Sequence, residues 1–315
     1  MIIKRLVTIL IGIILIAIGA IFLLGNLSGN KPGHIFNIRF NPWESNDKEN
    51  SKDYRDIDEK DTVNIDGINK IDIEVTFAKV NIISEEREDI SVRYYGDIPS
   101  NIRTNLNTKS SGNKLTINAK AQSNYKINLS PKIDLYLDII IPSSYTNSLN
   151  LEADLGSIQI EGLELDKLYV KGDLGDINIK NVDTKEVNVE SSLGKISIDN
   201  VSSVKNKLSA DVGSIEAKNI VGDLEVETDL GSIELEYDDL NSDIVAKSDS
   251  GSIKIKLPKN SSFYIEADTS LGNIKSDFPL EVNEKSNTKL KGRIGDGKNK
   301  IMTSVELGSI KIETK

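Results

Sequence analysis

The chain has 315 residues, 38% of them hydrophobic and only 5% aromatic, and carries a formal net charge of -10. That charge, with no Lys/Arg cluster beyond the N-terminus, argues against nucleic acid as a partner. With no cysteine and a single histidine, the composition excludes disulfide frameworks, lipid-modified N-terminal cysteines and Cys/His catalytic pairs.

Residues 1–5, with Lys4 and Arg5, precede an uncharged run of nineteen residues, LVTILIGIILIAIGAIFLL, from Leu6 to Leu24. As a helix it would be about 28 Å long, close to the hydrocarbon thickness of a bilayer. The spacing therefore predicts a transmembrane helix over residues 6–24, with residues 1–5 cytoplasmic and the rest of the chain outside the cell membrane. A cleaved signal peptide is the competing reading. The run is long for such a segment and no A-x-A site follows it.

Residues 25–61 hold Gly25, Gly29, Pro32, Gly33 and Pro42 and then a dense mixed-charge run, and they read as a flexible juxtamembrane linker. Phe36, Phe40 and Trp43 fit either interfacial anchors or scattered linker aromatics. His34 has no companion ligands and reads as an ordinary linker residue. Residues 62–148 alternate in and out, as in Lys70 to Val75 and Lys132 to Ile139, but their spacing is irregular. They are expected to form a less regular β lead-in.

Residues 149–315 are written around a recurring glycine, in ADLGSIQI, GDLGDINI, SSLGKISI, ADVGSIEA, TDLGSIEL, SDSGSIKI, TSLGNIKS and VELGSIKI. The glycines are Gly156, Gly175, Gly194, Gly213, Gly231, Gly251, Gly272 and Gly308, at spacings of 19, 19, 19, 18, 20, 21 and 36. Two residues after each stands an isoleucine: Ile158, Ile177, Ile196, Ile215, Ile233, Ile253, Ile274 and Ile310. Such a phase-locked period marks stacked units. A second apolar column lies seven residues before the glycine, broken only by Asn206. The residue just before the glycine is Leu or Val in all but one copy, and the residue three before it is mostly small. Asn181, Asn200 and Asn219, with Gly162, recur at a second corner where a left-handed backbone is expected. The pattern predicts an all-β single-chain solenoid of about 19 residues per turn. An antiparallel sandwich is the alternative, and a glycine-rich hairpin around Gly295 to Gly297 is expected to cap the C-terminal end.

Two residues before the glycine runs an acidic column, Asp154, Asp173, Asp211, Asp229, Asp249 and Glu306, with Ser192 and Ser270 as the exceptions. These carboxylates are either calcium candidates or acceptors for the N–H groups of the bend that follows. The bend role is preferred, because the calcium-binding G-G-x-G-x-D repeat is absent. No catalytic pair stands out from the evenly spread acids, and no cofactor is expected.

The D-L-G-S-I-x-I unit, its lead-in copy Thr76 to Ile82, and the ending Gly292 to Gly297 followed by Leu307 to Ile312 resemble the bacterial toast-rack family of adhesin-type β-strand repeats. That family includes LiaG-like and YvlB-like proteins. The resemblance runs from about Val63 to Lys315 and departs at Ala78, which takes the glycine's place in the lead-in copy. It implies a non-catalytic β-repeat ectodomain tied to the membrane of Gram-positive bacteria and associated with envelope stress. Two functions follow as expectations. One is a scaffold or sensor with a membrane or envelope protein partner; the other is an adhesion module for cell-wall glycan. A polysaccharide-active β-helix enzyme is a remote third.

Overall fold

The computed structural model describes residues 54–123 and 133–315. The apolar run 6–24, most of the linker, His34 and the three linker aromatics lie outside the described residues. Among those described, no helix is long and apolar enough to cross a membrane.

Nineteen strands follow one another. The N-terminal part is β1 (Tyr54–Asn64), β2 (Lys70–Phe77), β3 (Lys79–Glu85), β4 (Asp89–Pro99), β5 (Ile102–Ser111), β6 (Lys114–Ser123) and β7 (Asp134–Pro142). The winding part is β8 (Ser148–Leu155), β9 (Ile158–Glu161), β10 (Glu164–Leu174), β11 (Ile177–Leu193), β12 (Ile196–Val212), β13 (Ile215–Leu230), β14 (Ile233–Glu236) and β15 (Ile244–Leu257). It ends with β16 (Phe263–Ser276), β17 (Glu281–Lys285), β18 (Lys289–Ile294) and β19 (Asn299–Thr314). The first strand thus takes in residues 54–61, which the sequence pattern gives to the linker.

The repeats stack in parallel and in phase, as a solenoid requires: Ile158 pairs with Ile177, Ile177 with Ile196, and Ile196 with Ile215. The isoleucine column is buried at every rung except Ile274, which is half-buried. Alternation along each strand adds two further buried columns, Leu151, Val170, Val189 and Leu208 on one side of the bend and Ile160, Ile179 and Ile198 on the other.

The glycine is dictated by sterics. A Cβ on Gly213 would lie 2.8 Å from the carbonyl carbon of Gly194 one rung back, and nearer still to its oxygen. The same obstruction, carbonyl on carbonyl, recurs from Gly156 to Gly308. Among the described residues Ala78 begins this column: Gly156 stacks on its carbonyl. At three rungs the small residue three before the bend has a second use. Thr228, Ser248 and Thr269 donate to the carbonyls of Gly213, Gly231 and Gly308 at 3.1, 3.3 and 3.2 Å.

At the opposite corner Asn181, Asn200 and Asn219 have φ of 53°, 55° and 50°, and Gly162 has 72°, the left-handed values that asparagine and glycine tolerate best. Asn200 Nδ2 donates to Asn181 Oδ1 at 2.7 Å, so the corner also carries an amide ladder. Asn206 is explained by the one short repeat. Where the 18-residue unit shifts the register between Ser202 and Lys205, its buried Nδ2 donates to the carbonyls of Val221 and Asp223 at 3.2 and 3.3 Å.

Rung order departs from chain order at both ends. β19 pairs in parallel with β15 on one side and β16 on the other, so Ile310 sits between Ile253 and Ile274. The 36-residue gap before Gly308 is therefore filled by the β17–β18 hairpin, which pairs antiparallel with β16 and covers it. The Gly295–Gly297 turn leads from this cap back into the stack, and VELGSIKI is an interior rung where the sequence order suggests a terminal one. At the other end the β2–β3 rung lies between β8–β9 and β6–β7. It is a full rung of the solenoid, although the sequence pattern groups it with the irregular lead-in.

Candidate functional site

The glycine bend turns two successive side chains outward, those one and two residues before the glycine. Alternation would point one of them in; the bend absorbs that residue. Read only by apolarity, the leucines before the glycine belong with the core columns. The structure corrects this: Leu155, Leu174, Leu193, Leu230, Leu271 and Leu307 are between 36% and 68% exposed. Neighbouring rungs hold them in register, so they form one continuous ladder. In spatial order it runs Phe77, Leu155, Leu174, Leu193, Val212, Leu230, Ser250, Leu307, Leu271. Phe77 and Val212 are half-buried, and Ser250 is the one polar interruption.

The acidic column stands beside this ladder. Asp154, Asp173, Asp211, Asp249 and Glu306 are exposed and Asp229 is half-exposed. The glycine N–H groups of the bend are taken by the next rung. Gly156 N donates to Leu174 O at 2.9 Å, Gly175 N to Leu193 O at 3.0 Å and Gly194 N to Val212 O at 3.1 Å. Asp176, just after a glycine, takes the N–H of Lys195 at 2.9 Å. Asp173 reaches Lys171 at 3.8 Å. Among the described residues no three His, Cys, Asp or Glu side chains gather as a metal site. The calcium candidates run in single file, at most one per rung, with Ser192 and Ser270 interrupting the file.

A second surface feature lies on the outer face of the N-terminal part. Antiparallel pairing of β4 with β7 sets Tyr95 opposite Tyr136, and their rings stack with centroids 5.3 Å apart and planes at 19°. The Arg93 guanidinium lies 4.2 Å from the Tyr95 ring and Lys79 Nζ 4.8 Å from that of Tyr136. Lys79 also contacts Asp134 Oδ1 and the Tyr136 hydroxyl, each at 3.3 Å, and these two partners raise its pKa, Tyr136 first. Sequence spacing gives no hint of this pair. Around the corner, Arg103, Asn105, Asn107, Asn118, Lys120 and Gln122 line a polar cleft of about 330 Å³. At the capped end Ile274, Phe278, Leu280, Val282 and Leu290 line an open cleft of about 520 Å³.

These features define an all-β solenoid repeat protein with an exposed apolar edge. A model of the Toastrack domain, DUF4097, matches residues 68–313, and the chain belongs to that family. Among solved structures, the chain is similar to a candidate adhesin of Bacteroides fragilis NCTC 9343, at 18% identity. That match covers 83% of this chain and 98% of the other, with a TM-score of 0.47. A candidate cell adhesion protein of Clostridium sporogenes ATCC 15579 is 15% identical, covering 83% and 100% of the two chains with a TM-score of 0.35. A candidate adhesin of Parabacteroides distasonis ATCC 8503 is 11% identical, covering 82% and 97% with a TM-score of 0.35. No curated protein matches the chain.

Proposed function

We propose that this protein is a membrane-anchored, extracytoplasmic binding module that works by protein contact, as a scaffold or sensor component of an envelope-stress response, and performs no catalysis. In this reading residues 6–24 form the single membrane span and the solenoid stands outside the cell. The observation that carries it is the apolar ladder: single exposed leucines need no explanation, but a continuous file along one edge marks an interaction surface.

A second reading, adhesion to cell-wall glycan, is favoured by the stacked Tyr95–Tyr136 pair with its flanking Arg93 and Lys79. The cations over the rings, with the tyrosine hydroxyls, present hydrogen-bond donors of the kind that glycan hydroxyls accept.

One experiment separates the two. The full chain carries either Leu174→Ser, Leu193→Ser and Leu230→Ser together, or Tyr136→Ala. Induction of an envelope-stress reporter and co-sedimentation with isolated wall are measured for each. Loss of reporter induction in the leucine variant, with wall binding unchanged, supports the scaffold. Wall binding that disappears with Tyr136→Ala supports adhesion instead. A leucine variant that matches the parent in the reporter overturns the scaffold reading.

A further inference from the structure

The two flanks of the leucine ladder are unlike. Before the glycine the flank is acidic, with Asp211, Asp229 and Asp249; after it stand Ser214, Ser232 and Ser252 on the same rungs. This asymmetry decides how a ridge of this kind can meet another.

Two copies can join face to face about a two-fold axis in two ways. With the solenoids antiparallel, each flank meets its own kind, and carboxylate opposes carboxylate where Asp154 meets Glu306, Asp173 meets Asp249 and Asp211 meets its own mate. With the solenoids parallel, the axis runs along the ladder and each flank meets the other kind. Asp211 then faces the partner's Ser214 and Asp229 the partner's Ser232, while every leucine meets its own symmetry mate. Only the Asp173 and Asp176 rung brings like charges together. Desolvated carboxylates need hydrogen-bond donors, which serine hydroxyls supply and a second carboxylate does not.

We propose that the occupant of the ladder is a second copy of this chain, docked in parallel about a two-fold axis that runs along the solenoid. Nine rungs at about 4.8 Å give a ladder of roughly 38 Å. A strip about 10 Å wide then buries on the order of 400 Å² per copy, about half of what stable soluble complexes bury. Such an interface is weak between free chains and becomes populated when both are confined to one surface. The parallel arrangement puts both N-terminal ends on the same side, as two chains anchored in one membrane require. The geometry stands on the ladder alone, and the strength of association rests on the anchoring proposed above.

The chain has no cysteine, so single substitutions report proximity cleanly. Leu155→Cys, Leu193→Cys, Val212→Cys and Leu307→Cys are placed in the full chain and oxidised mildly in native membranes. Lys180→Cys, at the asparagine corner, serves as control. The expected result is a same-residue disulfide dimer at all four ladder positions, with similar yields several-fold above the control. Dimer confined to Val212→Cys, the middle rung, means antiparallel packing and overturns the arrangement; yields at control level everywhere overturn the second copy. Alkaline extraction of the same membranes reads the anchor separately. If the chain is released, the anchoring reading fails, and the positional pattern is then decided with the full chain concentrated in solution.

Discussion

Replacing Gly213 with alanine tests the stacking of the bends directly. The added Cβ would stand 2.8 Å from the Gly194 carbonyl carbon, whereas carbon atoms pack at about 3.5–4.0 Å. The rung must therefore move away by about 1 Å. That displacement falls on the two bonds that bracket the contact, Gly194 N to Val212 O at 3.1 Å and Ile196 N to Ser214 O at 3.0 Å. Neither survives it. With both partners stranded, the cost is about 1–3 kcal/mol for each bond, or about 2–6 kcal/mol in all. The reverse change at the head of the same column, Ala78→Gly, removes only a buried methyl and adds backbone freedom, a cost of about 1–2 kcal/mol. Urea unfolding of the full chain compares the two variants through their midpoints at equal slope. A Gly213→Ala chain within about 1 kcal/mol of the parent would refute the reasoning.

Four further outcomes are expected. Tyr145 donates to Ser148 O at 2.7 Å, whereas the buried Tyr237 hydroxyl has no partner. Tyr145→Phe should thus cost about 1 kcal/mol and Tyr237→Phe should be neutral or stabilising by a similar amount, as read by thermal unfolding. Burial raises the pKa of Tyr94, Tyr145 and Tyr237 above the ordinary tyrosine value of 10.0, so stability is full below that pH and falls as pH rises past it. An ultraviolet titration in which all the tyrosines ionise together before unfolding would contradict this. Asn206→Ala strands the carbonyls of Val221 and Asp223 and should cost about 2 kcal/mol by denaturant midpoint, a cost absent if the register shift heals itself. Arg93, hydrogen bonded at 2.7 Å, and then Lys60 hold the Asp58 carboxyl down to about 2 from its ordinary 3.8. Its contribution is full above pH 3.8 and is lost as pH falls towards 2; Arg93→Gln should move the Asp58 titration upward in a carboxyl-detected NMR series.

The repeat was legible because stacking imposes the same requirement on every rung. Gly213 and Gly231 must each clear the carbonyl behind them, and Ile215 and Ile233 must each fill the same slot. The orientation of the leucines was not legible, since apolar residues one before and two after the glycine suggest a common side. Only the bend geometry shows that Leu193 faces out while Ile196 faces in. The position of β19 was hidden for a related reason. Ile301 and Ile310 satisfy the column at any height, so the motif fixes register without fixing rung order. Tyr95 and Tyr136 meet through antiparallel pairing across a long chain interval, which carries no local period.

A stack of nearest-neighbour rungs ordinarily frays from its ends. Here the C-terminal strand β19 is paired along both edges, and the early β2–β3 rung is likewise enclosed, so the chain's last rung and its first full one both lie inside the stack. Two of the outermost strands are different in kind. β17 is five residues long, fully exposed and carries Glu281, Glu284 and Lys285; β1 carries Arg55, Asp56, Asp58, Glu59, Lys60 and Asp61. Short or charged edges resist the addition of further strands. Strand addition is disfavoured at these two edges, while the leucine file on the flank carries no charge. The parallel pairing proposed above uses the flank instead, where Leu155, Leu174 and Leu193 stand exposed.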